Sequence, residues 1–165
     1  MSSVELGQIL KKDKHFMNLA FTVSEGSKCV RAQYGSVVLG ADGHVVSTGC
    51  NGKPAGCAND HICYREGLPP NAPKENCCLH SEVNALMFCS PEERRGGTIY
   101  VCGIPCNDCA LVIMQSGLAR IVYYDGASKS GHRGCSDDGY WEKYGKAGIT
   151  RVAYTEEAWN ALYKE

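Results

Sequence analysis

Residues 98–124 constrain the fold more tightly than any other part of the chain. Residues 98–102 are β-like, 106–116 carry a helical run, and 121–124 are β-like again. Strand, helix, strand in so short a stretch makes a parallel pair joined by a right-handed crossover. The chain must therefore build a sheet with helices laid against it. Ala110, Leu111, Val112, Ile113 and Met114 make the crossover helix apolar nearly all round, which predicts that it is largely buried.

The flanking segments extend this unit. Phe16, Leu19, Ala20 and Val23 recur at helical spacing and predict an amphipathic helix over 13–26. Val37-Val38-Leu39 and Val45-Val46 are β-like runs with Asp42-Gly43 between them, the signal of a tight antiparallel hairpin. A helix over 80–89 precedes the crossover. After it come a polar loop over 126–139, a helix over 140–147, a strand over 149–154 and a helix over 156–163. No repeat or linker divides the 165 residues. Residues 1–165 are expected to form one α/β domain of three layers, a mixed sheet of about five strands with helices on both faces.

Composition narrows the partners. Hydrophobic residues make up 44% and charged residues 21%, as in ordinary soluble proteins. A formal net charge of -1 argues against a nucleic acid as the main partner. The short basic runs Lys11-Lys12-Asp13-Lys14 and Arg94-Arg95 read as solvated surface. Met1 to Leu6 lacks the basic start and apolar block of a secretion signal, and no stretch approaches transmembrane length, so a cytoplasmic protein without membrane contact is expected. Eleven cysteines in a reducing compartment point to metal binding or core packing rather than disulfides.

The chemistry is concentrated in His80-Ser81-Glu82 and Pro105-Cys106-Asn107-Asp108-Cys109. Cys106 and Cys109 are three apart at a helix start, so both thiols project from one face. With His80 they offer one imidazole and two thiolates, a set suited to zinc, and three protein ligands leave a fourth position open. Both pieces begin helices, where the dipole favours thiolate. Pro105 suits a helix start. Glu82 points away from His80 in a regular helix, so it is expected beside the open position rather than on the metal, with His80 in the less regular first turn. There a carboxylate can take a proton from water and pass it on. A redox pair would leave His80 and Glu82 without a role, and a structural zinc would need no free carboxylate.

His-x-Glu followed by Pro-Cys-x-x-Cys is the signature of zinc-dependent deaminases. From about Phe16 to Val152 the chain resembles the cytidine and deoxycytidylate deaminase family, and within it the branch acting on dCMP. The resemblance rests on Thr48-Gly49-Cys50-Asn51-Gly52-Lys53-Pro54-Ala55-Gly56, His80-Ser81-Glu82-Val83-Asn84-Ala85-Leu86 and Pro105-Cys106-Asn107-Asp108-Cys109-Ala110. The first stretch separates this branch from tRNA adenosine deaminases and free cytidine deaminases. Gly49, Gly52 and Gly56 would let backbone approach a ligand, or form a plain turn. Two positions depart from the family pattern: it often has an aromatic residue where Cys50 stands and usually alanine where Ser81 stands. Neither is expected to touch the chemistry, although Cys50 would alter the nucleotide pocket.

The resemblance implies a cytidine-deaminase-like fold and hydrolysis of dCMP to dUMP and ammonia, supplying dUMP for dTMP synthesis. It implies catalysis by Glu82, with zinc on His80, Cys106 and Cys109. It places Asn51 against the deoxyribose and Arg31, Lys53 and Tyr124, with the loop after it, near the phosphate. It implies a hexamer, activated by dCTP and inhibited by dTTP, with Mg2+ accompanying the nucleoside triphosphate effector. Phe88 falls in the effector-responsive region, where Pro91 and Glu92 replace a neighbouring arginine. Some relatives bind a second, structural zinc from the regions that hold Cys29, His61, Cys63 and Cys78, with Cys57 and Cys77 as substitutes. A metal would order the long aperiodic loop over 51–79; the alternative is buried thiols and a surface histidine. Other readings are a deaminase that also accepts dCTP, a nucleic-acid editor, or a zinc module without catalysis, against which Glu82 speaks.

Overall fold

The computed structural model describes residues 7–57, 63, 65–69, 78–126 and 148–164. Helix α1 (Asp13–Ser24) precedes the hairpin β1 (Gly35–Leu39) and β2 (Val45–Cys50). Helices α2 (Ser81–Met87) and α3 (Pro91–Arg94) lead to β3 (Thr98–Val101), α4 (Asn107–Gln115) and β4 (Arg120–Tyr124). Strand β5 (Thr150–Tyr154) and the helix Glu156–Tyr163, here α5, follow. The helix expected over 140–147 lies outside the described residues.

The strands form one five-stranded sheet in the order β2-β1-β3-β4-β5. β1 pairs antiparallel with β2 and β3, while β3, β4 and β5 run parallel. The sheet is mixed, and both the hairpin and the parallel crossover occur as the residue patterns predict. Gly43 takes a φ of 86° at the hairpin tip, a left-handed conformation that glycine adopts without strain.

Strand alternation sorts the core into two layers. Val38, Ile99, Val101, Ile121 and Tyr123 face α2 and α4 and pack on Ala85, Leu86, Ala110 and Ile113. Val37, Leu39, Tyr100, Val122 and Val152 face the other way, against Met17 and Ala20 of α1 and Trp159 of α5. A fully buried aliphatic side chain contributes about 1.5–3 kcal/mol, so a sheet covered on both faces is the stable solution.

Asp13 pins the second layer. It is fully buried, and its carboxylate accepts from the Tyr100 hydroxyl (2.8 Å), Nη1 and Nη2 of Arg120 (2.8 and 2.6 Å) and the Leu10 N–H (2.8 Å). Leaving such a buried ion unpaired costs about 3–5 kcal/mol, so these bonds tie the start of α1 to β3 and β4.

Two features differ from expectation. α3 is a single turn that no apolar period announces; Ser90 and Glu93 form a reciprocal capping box, with Glu93 N–H donating to Ser90 Oγ (3.2 Å) and Ser90 N–H to Glu93 Oε2 (2.7 Å). And α4 is not largely buried. Cys109, Ala110 and Ile113 are, but Leu111 and Val112 remain 39% and 41% exposed. The sheet covers one side of this helix, and nothing among the described residues covers the other.

Candidate active site

The site forms where α2 and α4 begin, side by side over the layer that contains Val101 and Ile113. Two hydrogen bonds lash α2 to β2: the Ser47 hydroxyl donates to Ala85 O (2.7 Å) and Asn84 Nδ2 to Cys50 O (2.9 Å). Gly49 makes this approach sterically possible. A Cβ there would collide with the Ala85 nitrogen and lie 2.7 Å from Ser81 O. Its bareness thus serves the close approach of a helix. The Gly52 and Leu79 backbones bond reciprocally, Gly52 N–H to Leu79 O (3.1 Å) and Leu79 N–H to Gly52 O (2.8 Å), and place His80 directly after that clamp.

His80 is the N-cap of α2, with extended backbone (φ -75°, ψ 155°). This is the irregular position that lets His80 and Glu82 address the same space. Cys106 is the N-cap of α4, also extended, and Cys109 lies in its first turn. Nδ1 of His80 is 3.3 Å from the Sγ of Cys106 and 3.3 Å from that of Cys109. The three ligand atoms lie within 4.8 Å of one another, and among the described residues no other group of three His, Cys, Asp or Glu does so. Tetrahedral zinc with Zn–N of about 2.0–2.1 Å and Zn–S of about 2.3 Å separates nitrogen from sulfur by roughly 3.6 Å. The trio fits zinc with a small outward adjustment.

The electrostatics agree. The hydrogen bond from Cys109, aided by His80, draws the Cys106 thiol down to about 4. Cys109 moves the opposite way, held protonated by its bond to Cys106 and by burial. The adjacent Cys106 sulfur raises His80. The two thiols thus hold their protons unequally, and a divalent ion favours ionising both.

Glu82 is 5% exposed, and burial pushes its carboxyl pKa up. It shares with His80, Cys106, Asn51, Tyr34 and Ile104 the wall of a cavity of about 210 Å³. A second cavity of about 260 Å³ lies on the other side of His80, between Pro54, Val83 and Cys109. Ser81 reaches Glu82 itself: its hydroxyl donates to Glu82 Oε2 at 3.0 Å. The family signature marks Glu82, but this bond follows only from the fold.

The other candidate residues are placed as follows. Asn51 is on the cavity wall, with Oδ1 accepting the Tyr34 N–H (2.9 Å) and Nδ2 donating to Ala32 O (2.9 Å). Arg31 is exposed and Lys53 half-buried, and neither lines the two cavities. Tyr124 packs edge-on against Phe21 at 5.0 Å, on the α1 face of the sheet and away from His80. Phe88, at the end of α2, is 74% exposed. Cys78 lines both cavities. Cys29 and Cys63 are half-buried and Cys57 is exposed; Cys29, Cys63 and Cys78 do not gather as a trio of ligands, while His61 and Cys77 lie outside the described residues. No helix among the described residues is long and apolar enough to cross a membrane.

Comparison with known proteins agrees with this arrangement. The model of the family described as the cytidine and deoxycytidylate deaminase zinc-binding region matches residues 10–125. The deoxycytidylate deaminase of Mycobacterium phage D29 is 36% identical over 119 residues, covering 67% of this chain and 92% of that protein. Human deoxycytidylate deaminase is 30% identical over 115 residues; the match covers 69% of this chain and 65% of the human protein. The crystal structure of dCMP deaminase from the cyanophage S-TIM5 in complex with dCMP and dUMP superposes with a TM-score of 0.67 at 22% identity, over 90% of this chain and 100% of that one, which is a likeness of fold. With its family match spanning α1 to β4 and a His-Cys-Cys trio in place at two helix starts, the chain belongs to the cytidine and deoxycytidylate deaminase family.

Proposed function

We propose that this chain hydrolyses dCMP to dUMP and ammonia. The observation that carries the reading is the buried Glu82 carboxylate on the wall of a cavity it shares with His80 and Cys106. The choice of dCMP within the family is supported by relatives named deoxycytidylate deaminase in phages and animals.

His80, Cys106 and Cys109 would hold the zinc. When bound, the ion supplies the positive charge that makes water a nucleophile near neutral pH. Glu82 does the proton work. It takes a proton from the attacking water, delivers it to N3 of the ring, and then carries the water's second proton to the departing amine. The C4–N bond breaks as ammonia leaves and the C4 carbonyl forms. Burial raises the Glu82 pKa, which makes its carboxylate a stronger base for this work. Asn51 shapes the wall; beyond its two backbone bonds it retains one N–H and one lone pair for the deoxyribose. Arg31 and Lys53 are the cations proposed for the phosphate.

Steady-state ultraviolet assays against dCMP, deoxycytidine, dCTP and single-stranded DNA test the substrate. Two charge-assisted hydrogen bonds to a phosphate, at about 1.5–3 kcal/mol each, amount to a preference for dCMP over deoxycytidine of ~100-fold or more in kcat/KM. Equal efficiency on the two would overturn the assignment in favour of a nucleoside deaminase. Comparable turnover of dCTP would broaden it.

The same reading includes a second zinc on Cys29, His61, Cys63 and Cys78, and regulation by dCTP and dTTP with Mg2+. It also includes self-association into a hexamer, which the exposed apolar side chains Met87, Phe88, Leu111 and Val112 favour. Metal analysis of the purified chain should return about two zincs per chain, one from an open and one from a closed site. A stoichiometry of one removes the second site and leaves the first intact.

A further inference from the structure

Ser81 is the first residue of α2 and is fully buried. Its hydroxyl donates to Oε2 of Glu82 at 3.0 Å, and its oxygen lies 2.8 Å from Oγ of Ser36 on β1, also fully buried. A hydroxyl carries a single proton. Ser81 gives its proton to the carboxylate, so Ser36 must be the donor to Ser81. The result is a directional chain from Ser36 through Ser81 to Glu82. Its far end is anchored in the sheet, where Ser36 sits in register between Gly49 of β2 and Val101 of β3. Two buried hydroxyls that satisfy each other and end on one carboxylate oxygen are costly to place unless each bond is made.

We propose that Ser81, backed by Ser36, is a positioning residue that holds Oε2 of Glu82 and leaves Oε1 as the oxygen that exchanges protons with the substrate. The proposal rests on the reading of Glu82 as proton carrier. Helix geometry sets where the Glu82 backbone lies, but its side chain has three rotatable bonds. A bond to one carboxylate oxygen removes the freedom of the last two. Small misplacements of a reacting group are expensive in rate: about 1 Å can cost ~100-fold. Losing a tether while the cavity walls still confine the side chain is a smaller disturbance.

The experiment uses the zinc-loaded full chain. Ser81→Ala should lower kcat on dCMP ~10-fold while KM for dCMP, the Kd of dUMP by calorimetry and the zinc content all stay within about twofold of wild type. Ser36→Ala, one step further out, should lower kcat ~3-fold, and the double variant should be no slower than Ser81→Ala alone, because both act through one bond. A merely structural pair would instead shift melting temperature, zinc content or dUMP affinity and leave kcat in place; that result overturns the proposal, as does an unchanged kcat in Ser81→Ala. If Ser81→Ala does not fold, Ser36→Ala decides alone, and an unchanged kcat overturns. Glu82→Gln separates the two levels. Dead Glu82→Gln with normal Ser81→Ala removes the positioning role only, whereas active Glu82→Gln removes the reading beneath it.

Discussion

Glu82→Gln should fold, load zinc and bind dUMP as the wild type does, and turn over dCMP at least ~10,000-fold more slowly. Glutamine keeps the size of the side chain and an acceptor oxygen for the Ser81 hydroxyl. The ligands His80, Cys106 and Cys109 are untouched, and so are the bonds that lash α2 to β2. What disappears is an exchangeable carboxyl proton. General acid–base assistance in a single transfer is worth ~100- to 10,000-fold. Here one group serves water, ring nitrogen and leaving amine in turn, so the loss should reach the upper end of that range. Stopped assays with zinc determination on the same preparation check it. Near-normal turnover with full zinc would mean that another group moves the protons.

Cys106→Ala should lose zinc and activity in step. The residue caps α4, and the variant leaves His80 and Cys109 alone in a site built for three. The contacts with Cys109 and His80 also hold the Cys106 thiol well below its ordinary value, so the variant discards the ligand that ionises more readily. The electrostatic help from a bound cation amounts to several kcal/mol, so activity should fall ~1,000-fold or more. The pH dependence of the wild type has a definite sign. Ligands must be deprotonated to bind, and Cys109 is the thiol held protonated in the absence of metal. Acid should therefore release zinc by returning that proton, and retention should improve as pH rises. Full occupancy and activity in Cys106→Ala would exclude the trio as the zinc site.

The trio was legible because its information is local: Cys106 and Cys109 are one helical turn apart, and a helix start can be read from Pro105. The hairpin at Asp42-Gly43 and the parallel crossover are local in the same sense. The turn Pro91–Arg94 was missed because one turn has no period to detect, although Ser90 and Glu93 carried its capping signal. α4 misled because an apolar stripe says that a surface avoids water, not whether the same chain covers it; Leu111 and Val112 are left outside. Tyr124 stands at the right end of β4, but alternation turns Tyr123 toward α2 and α4 and Tyr124 toward α1. Ser81 was set aside because its partner Ser36 is 45 residues away, and no spacing rule connects them.

The reciprocal bonds between Gly52 and Leu79 separate two kinds of evolutionary freedom. Lengthening a tethered excursion costs little: each doubling adds only about 0.6 kcal/mol of closure entropy. Insertions between Lys53 and Cys78 can therefore accumulate while His80, just past the clamp, keeps its place relative to Cys106 and Cys109. The clamp thus isolates the corner formed by His80, Cys106 and Cys109 from changes of length in that stretch of chain.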